Sequence, residues 1–209
     1  MKTILKKVSV LMLLTLLGLK ISFAQEEKLI VTSVSKLTND TYEIVLNDII
    51  VIKDVKLKKT KIGQREIVNL QFPEYISKRG KVFPQVVVLS KDLTDRITSA
   101  IITSKVEQLP SAVEPSYKLN KFSPFRREGS SLKIFASVIF AGTLEVECKV
   151  MEGKRGPWIA WPSVKDESTG KYRKQVVFKS REYQKKIEND LLSKYKTSSS
   201  ESGSGDDDY

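Results

Sequence analysis

The side chains best suited to chemistry in this sequence are cations gathered around one glycine-containing turn. Basic residues recur on both sides of that turn, and one tyrosine lies among them. Ammonium and guanidinium groups can contact phosphates, and a tyrosine can stack on a base or a sugar. We therefore select as candidate nucleic-acid or polyanion-binding residues Lys154, Arg155, Lys165, Lys171, Tyr172, Arg173 and Lys174. A weaker set of the same kind comprises Lys78, Arg79 and Lys81. The alternative, a solvated rim of lysines around a sheet, stays open.

Most enzyme chemistry is excluded by residues that the chain lacks. The 209 residues include no histidine and a single cysteine, Cys148. These counts exclude Ser-His-Asp and Cys-His nucleophiles, His-ligated metals, intramolecular disulfides and zinc sites with two or more cysteines. The run Asp206-Asp207-Asp208 lacks the shaped oxygen cage of a specific calcium site. We expect no catalytic residue, no metal, no cofactor and no small-molecule substrate.

The elements that position the larger basic set are short strands followed by a helix. Residues 144–150 alternate between apolar and polar side chains, which predicts a strand with Cys148 on its buried face. A second strand over 133–140 precedes it, and Ala141-Gly142 is a suitable hairpin turn between the two. A thiol on a buried face usually fills core space and does not act as a nucleophile.

Two further strands and a helix are predicted after this pair. The prolines around Trp158-Ile159-Ala160-Trp161 favour an edge or bent strand, with at least one of the two tryptophans in the core. Residues 175–178 form another short strand. Ser180 is a suitable N-cap for a helix whose apolar residues recur every fourth position. These residues are Tyr183, Ile187, Leu191 and Tyr195.

An internal repeat is indicated when the chain is shifted by 90 residues. Residues 80–105 then align with 170–195 at seven identical positions, in the order glycine, strand, serine and helix. In the first copy, Leu93, Ile97 and Ile101 mark the helix. Its central strand is marked by Ile49, Val51, Val55 and Leu57 on one face, with Asp54, Lys56 and Lys58 on the other. The predicted fold class is α+β, with two small tandem domains that each contain an antiparallel sheet and a C-terminal helix.

The N-terminus has the three parts of an export signal. A basic start is followed by an apolar run over 8–19 and by Ser22-Phe23-Ala24, which fits the small-x-small cleavage rule. The run is too short for a typical spanning helix, so we expect cleavage before Gln25 and an exported, periplasmic or secreted protein. An uncleaved membrane anchor is the alternative. The predicted segments are a signal peptide (1–24), copy one (28–106), a linker (107–115), copy two (116–196) and a disordered acidic tail (197–209).

The folded part of the chain is basic. The full chain carries a formal charge of +11, and residues 25–196 alone carry the same charge, because four lysines of the signal offset four acids of the tail. Such a surface suits DNA, RNA, anionic lipid headgroups or acidic wall polymers. Solubility alone is the alternative interpretation of the charge. A bolder hypothesis is that the acidic tail competes with polyanions for the basic face.

Copy two carries a string of residues that points to one family. The string is Gly156-Pro157-Trp158-Ile159-Ala160-Trp161-Pro162-Ser163, followed by the turn Ser168-Thr169-Gly170-Lys171-Tyr172-Arg173 and a closing helix. Ala136-Ser137-Val138 in one strand, and Lys149-Val150-Met151-Glu152-Gly153 at the end of the next, precede it. With these features the segment resembles the SpoVG family of small bacterial regulators. Copy one matches only in outline, through Val31-Thr32-Ser33-Val34 and Phe72-Pro73.

The resemblance implies a small α+β fold that pairs into a dimer, binds DNA and RNA, and takes part in septation and sporulation. Two copies in one chain can form that dimer internally, as a pseudo-dimer; a homo-oligomer is the alternative. The family's basic residues just after the Pro-Ser step contact nucleic acid. Here the corresponding stretch is Val164-Lys165-Asp166, and in copy one it is Glu74-Tyr75-Ile76, so only Lys165 keeps the charge.

Two functional hypotheses follow from the sequence. One is a non-enzymatic SpoVG-like regulator that binds nucleic acid or another polyanion through its basic surface. The other is an exported envelope scaffold or protein-interaction module that reuses the fold, with an anionic envelope polymer as a candidate partner. The resemblance favours the first hypothesis and the export signal favours the second.

Overall fold

The computed structural model describes residues 28–38, 40–63 and 65–201, so the proposed signal peptide lies outside the described residues. In the first half, seven strands are followed by a helix. They are β1 (Val31–Lys36), β2 (Thr41–Leu46), β3 (Ile50–Ile62), β4 (Arg65–Gln71), β5 (Glu74–Ile76), β6 (Val82–Pro84), β7 (Val86–Val88) and α1 (Lys91–Thr103). Within the described part of the chain, no helix is long and apolar enough to span a membrane.

The second half follows the same order of elements. Its members are β8 (Tyr117–Pro124), β9 (Leu132–Phe140), β10 (Leu144–Gly153), β11 (Gly156–Ala160), β12 (Ser163–Lys165), β13 (Tyr172–Lys174), β14 (Val176–Phe178) and α2 (Arg181–Glu201). Every strand pairing is antiparallel. The predicted α+β class, with antiparallel sheets and a C-terminal helix, is confirmed.

The two larger sheets each contain one strand from the other half of the chain. The first sheet has the order β1-β2-β3-β14, with β4 also paired to β3. The second has the order β11-β10-β9-β8, with β7 also paired to β10. Val86 lies opposite Val146 in the second sheet, and Val176 lies opposite Ile52 in the first. The strand at 175–178 was predicted as part of copy two, whereas in the structure it pairs with β3 of the first half.

The exchanged strands enter their host sheets through matching hydrogen bonds. The amide of Glu147 donates to the carbonyl of Gln85, and the amide of Lys53 donates to the carbonyl of Gln175, each at 2.8 Å. Gln85 and Gln175 are 90 residues apart, which is the shift of the internal alignment. Both glutamines are buried. The same local chemistry therefore fixes both exchanged strands.

A single hydrophobic core joins the two halves. Phe178, on the strand contributed to the first sheet, packs against Phe140 and Trp161 of the second half, with ring centroids 5.8 and 4.8 Å apart. Ile97 of α1 and Ile187 of α2 are both fully buried. Each large apolar side chain buried in this way contributes roughly 1.5–3 kcal/mol to folding. Because both halves supply side chains to this core, its burial stabilises the fold of each half and their association.

The hairpin turn at Ala141-Gly142 and the start of α2 lie where the sequence predicted them. Ala141 and Gly142 have φ values of 43° and 65°, which are typical of the two-residue turns that match the twist of a hairpin. The backbone amide of Tyr183 donates to the Ser180 hydroxyl at 3.1 Å, which confirms Ser180 as an N-cap. Helix α2 continues to Glu201, past the predicted boundary at Lys196. Residues 202–209 of the predicted tail lie outside the described residues.

The predicted faces of the first central strand were wrong because β3 contains a bulge. The prediction placed Val51 and Val55 on one face. In the structure Ile52 lies opposite Ile44 and Val55 lies opposite Tyr42, so one extra residue intervenes in β3. Asp54 lies in this bulge with a φ of 60°. The bulge changes the alternation, so that Val55 shares the fully buried face of Ile52.

We predict that the halves stay together after the linker is cut. A specific protease site inserted between Gln108 and Leu109 allows cleavage of the folded protein. Both fragments should elute together in size-exclusion chromatography, because each supplies a strand to the sheet of the other, and they should separate in concentrated urea. The uncut chain is the control. Separate elution in native buffer would contradict the exchange of strands.

Candidate functional site

Hairpin β12–β13 carries four of the six basic residues in the larger candidate set. Ser163 pairs with Lys174, Val164 with Arg173, and Lys165 with Tyr172. The lysines and Tyr172 are exposed, and 72% of Tyr172 is accessible to solvent. Lys171 lies just before β13 and is also exposed. The hairpin therefore presents three lysines and an aromatic ring to solvent on a stretch of only twelve residues.

The tip of this hairpin is fixed by Asp166. Its carboxylate accepts hydrogen bonds from the Ser168 amide at 2.9 Å and from the Thr169 amide at 3.1 Å. A hydrogen bond from the Ser168 hydroxyl is the main cause that lowers the pKa of Asp166 below its usual value. Gly170 then adopts a φ of 67°, which an L side chain adopts only with strain. A rigid turn thus holds the lysines on either side of it.

Arg173 has a different environment from the lysines around it. Its guanidinium makes two contacts of 2.9 Å, one to each carboxylate oxygen of Asp54. The Gln175 side-chain amide also donates to Asp54 at 2.9 Å. Asp54 belongs to the bulge in β3 of the first half. Arg173 therefore ties hairpin β12–β13 to the first sheet, whereas the sequence grouped it with the solvent-facing cations.

The remaining candidate residues lie in other turns. Lys154 and Arg155 form the exposed turn between β10 and β11, and the whole of β11 separates them from hairpin β12–β13. Lys78, Arg79 and Lys81 lie at the exposed tip of hairpin β5–β6, which occupies the corresponding place in the first half. The structure thus divides the predicted residues among three turns, of which hairpin β12–β13 holds the most.

Sequence analysis missed a group of basic residues on the hairpin formed by β3 and β4. Lys56, Lys58 and Lys61 are exposed there. Lys56 and Lys58 were interpreted only as the polar face of a strand, and Lys61 was not considered. Lys56 lines a groove of about 330 Å³ together with Arg173. The run of lysines without an intervening acid was the feature in the sequence that indicated a basic arm.

The aromatic residues separate into core and surface positions. Trp161 is buried, and its indole N–H donates to the Glu188 carboxylate at 2.8 Å, so the prediction of at least one core tryptophan is confirmed. Trp158 is 52% exposed. Tyr75 and Phe83 of hairpin β5–β6 are also exposed, and the sequence had not singled them out.

The one cysteine has the environment of a core residue. Cys148 is buried on the apolar face of β10, as the alternation predicted. Burial is the largest cause that raises the pKa of the Cys148 thiol to about 12. At neutral pH the thiol is therefore protonated and cannot act as a nucleophile. Within the described residues, no three side chains of metal-ligating type come together.

The comparison with protein families matches the second half of the chain. Residues 119–197 match the family model described as SpoVG, and the match does not extend to the first half. The resemblance of copy two to that family is therefore confirmed over a segment that includes hairpin β12–β13 and most of α2. No curated protein and no solved structure matches the chain.

Replacement of Arg173 by alanine is predicted to lower the free energy of unfolding by about 1 kcal/mol, because a bidentate pair with a largely buried carboxylate is lost. The neighbouring variant Lys174→Ala should change it by less than about 0.5 kcal/mol. Urea unfolding followed by circular dichroism measures both values. Equal effects of the two substitutions would contradict the structural role of Arg173.

Proposed function

We propose that this chain, whose second half matches the SpoVG family, is a non-enzymatic regulator that binds nucleic acid through hairpin β12–β13. The observation that carries the proposal is the presence of Lys165, Lys171, Lys174 and an exposed Tyr172 on one hairpin. Lysines of this kind contact phosphates without regard to sequence, and an exposed ring can stack on a base or sugar. The role in septation rests on the family match alone.

The charge of the second half supports this proposal. Residues 116–196 contain 18 Lys and Arg and 9 Asp and Glu, a net charge of +9. A polyanion is attracted to such a surface over several ångströms before contact is made, and the attraction falls as salt rises. Of the two acids in this turn, Glu167 is exposed, whereas Asp166 accepts hydrogen bonds from its own turn. It therefore faces the turn amides as well as the solvent.

The exchange of strands supports a role as a fused pair. SpoVG-like copies are expected to work as dimers, and here each half completes the sheet of the other within one chain. Arg173 and Asp54 add a polar contact between the halves next to the proposed binding hairpin. We propose that the single chain acts as an internal pseudo-dimer and that its binding surface includes the Lys56 side of the groove.

A second candidate function is an exported envelope scaffold with an anionic envelope polymer as partner. The observation that favours it is the three-part N-terminal pattern over residues 1–24. The same basic hairpin would then contact an anionic envelope polymer in place of nucleic acid. The chemistry of the contact is shared, and the two functions differ in the compartment where it takes place.

The variant with Lys165, Lys171 and Lys174 all changed to Ala is predicted to bind DNA and RNA more weakly. If each lysine contacts one phosphate, the slope of log K against log salt should fall by about 2–3 for duplex DNA. Fluorescence anisotropy across a salt series measures the slope. The control changes three other exposed lysines, Lys36, Lys105 and Lys185, and removes the same charge. Equal losses in both variants would contradict a local site.

The location of the mature protein distinguishes the two candidate functions. Cells that express the full chain are fractionated, and the N-terminus of the purified protein is sequenced. An intact start at Met1 in the cytoplasm is expected for the nucleic-acid regulator. A start at Gln25 in the periplasm or medium is expected for the envelope protein and would contradict cytoplasmic regulation.

A further inference from the structure

We infer that a second surface, away from hairpin β12–β13, binds the unpaired bases of a single-stranded nucleic acid. The surface is an aromatic face formed by exposed or half-buried rings with lysines between them. Its rings are Tyr75, Phe83, Phe125, Phe135 and Trp158. The inference rests on the proposed function, because it specifies the form of nucleic acid that is bound.

Hairpin β5–β6 contributes two of the rings. Tyr75 and Phe83 are directly opposite each other, and their centroids are 6.3 Å apart. Their exposed fractions are 48% and 39%, so neither belongs to the core. The ammonium of Lys81 lies 5.1 Å from the Phe83 ring centroid. The hairpin therefore offers two adjacent rings with a cation beside them.

The outer face of the second sheet contributes the other three rings. Phe135 of β9 points away from the core, is exposed, and packs edge-on against Phe125 at 5.7 Å. Lys149 of β10 lies between Phe135 on one side and Ala160 of β11 on the other. Trp158 is two residues before Ala160, so it shares this outer face.

Lys149 joins the two groups of rings. Its ammonium lies 5.0 Å from the Tyr75 ring centroid, although Lys149 and Tyr75 belong to different halves of the chain. Its cross-strand neighbour is Phe135. The exchange of strands brings hairpin β5–β6 to the edge of the second sheet at this point. The aromatic face therefore exists only in the assembled chain.

The two carboxylates of β10 that are nearest to Lys149 in sequence form ion pairs with lysines. Glu147, two residues before Lys149, forms an ion pair with Lys121 at 3.1 Å. Glu152, three residues after Lys149, lies on the opposite face of β10, where it forms an ion pair with Lys133 at 3.3 Å and accepts a hydrogen bond from the Tyr195 hydroxyl at 3.4 Å. Lys81 and Lys149 lie against the rings themselves. The phosphates of a strand bound over these rings can therefore contact Lys81 and Lys149.

A single-stranded nucleic acid fits this combination better than other partners. Its unpaired bases can stack on exposed rings, while its phosphates contact the lysines beside them. In a duplex the bases are stacked on one another and do not offer a free face. An apolar protein partner needs hydrophobic area but does not require cations, whereas here Lys81 and Lys149 lie against two of the rings. The geometry thus favours a single-stranded nucleic acid that lies extended across the aromatic face.

The experiment compares three labelled ligands of equal length by fluorescence anisotropy with the full chain at low salt. They are a single-stranded oligonucleotide, the same sequence as a duplex, and an abasic strand with intact phosphates. The single strand should bind roughly 5- to 100-fold more tightly than the abasic strand. It should also quench the emission of the exposed Trp158, which is one of only two tryptophans.

Variants then assign the effect to the rings. Tyr75→Leu and Phe135→Leu should each reduce binding of the single strand by roughly 5-fold or more, with little change for the abasic strand. Tyr75→Phe keeps a ring and should retain the affinity. Ile102→Ala, at an exposed apolar position on α1, is the matched control and should bind like the unmodified chain. Thermal unfolding verifies that each variant is folded.

The outcomes separate this inference from the proposed function. Equal binding of all three ligands would overturn the aromatic face and leave binding through hairpin β12–β13 intact. Failure of every ligand to bind would overturn both. Equal binding of the single strand by the unmodified chain and by Tyr75→Leu, with binding of anionic phospholipid vesicles lost in Tyr75→Leu, would assign the face to a membrane surface and overturn the inference.

Discussion

The two halves of the chain are held together by backbone hydrogen bonds of two short strands, each of which completes the sheet of the other half. Strands β7 and β14 have only three residues each, too few to be stable alone. They persist because their side chains, such as Val86 and Val176, are buried in the shared core. The same exchange brings Arg173 to Asp54 and Tyr75 to Lys149. Both candidate surfaces therefore depend on it.

Much of the fold could be predicted from local patterns, since period-two alternation, hairpin turns and N-caps are set by residues close in the chain. The strand around Cys148, the turn at Ala141-Gly142 and the cap at Ser180 are examples. The exchange of strands could not be predicted, because the apolar run at 175–178 suits either sheet equally well. The bulge at Asp54 was also missed, because its conformation is supported by a partner 119 residues away.

The residue types at the candidate site could be predicted from the sequence, but the partners and surroundings of those residues could not. The lysines of hairpin β12–β13 follow from the turn that joins its strands, and they were found. Arg173 was assigned to the same group because its partner Asp54 is remote in sequence. Tyr75 and Phe83 were overlooked, since apolar residues on a strand are usually buried, whereas these two are exposed.

The union of both halves in one chain removes the constraint of symmetry. In a pair of identical subunits, any residue near the two-fold axis occurs twice, so the two sides are chemically equal. Here Arg173 and Phe83 occupy corresponding positions, 90 residues apart, and one is cationic whereas the other is aromatic. The same position of the repeated hairpin therefore holds an ion pair between the halves on one side and an exposed ring on the other. Residues of one half can therefore change without a matching change in the other half, which a pair of identical subunits does not allow.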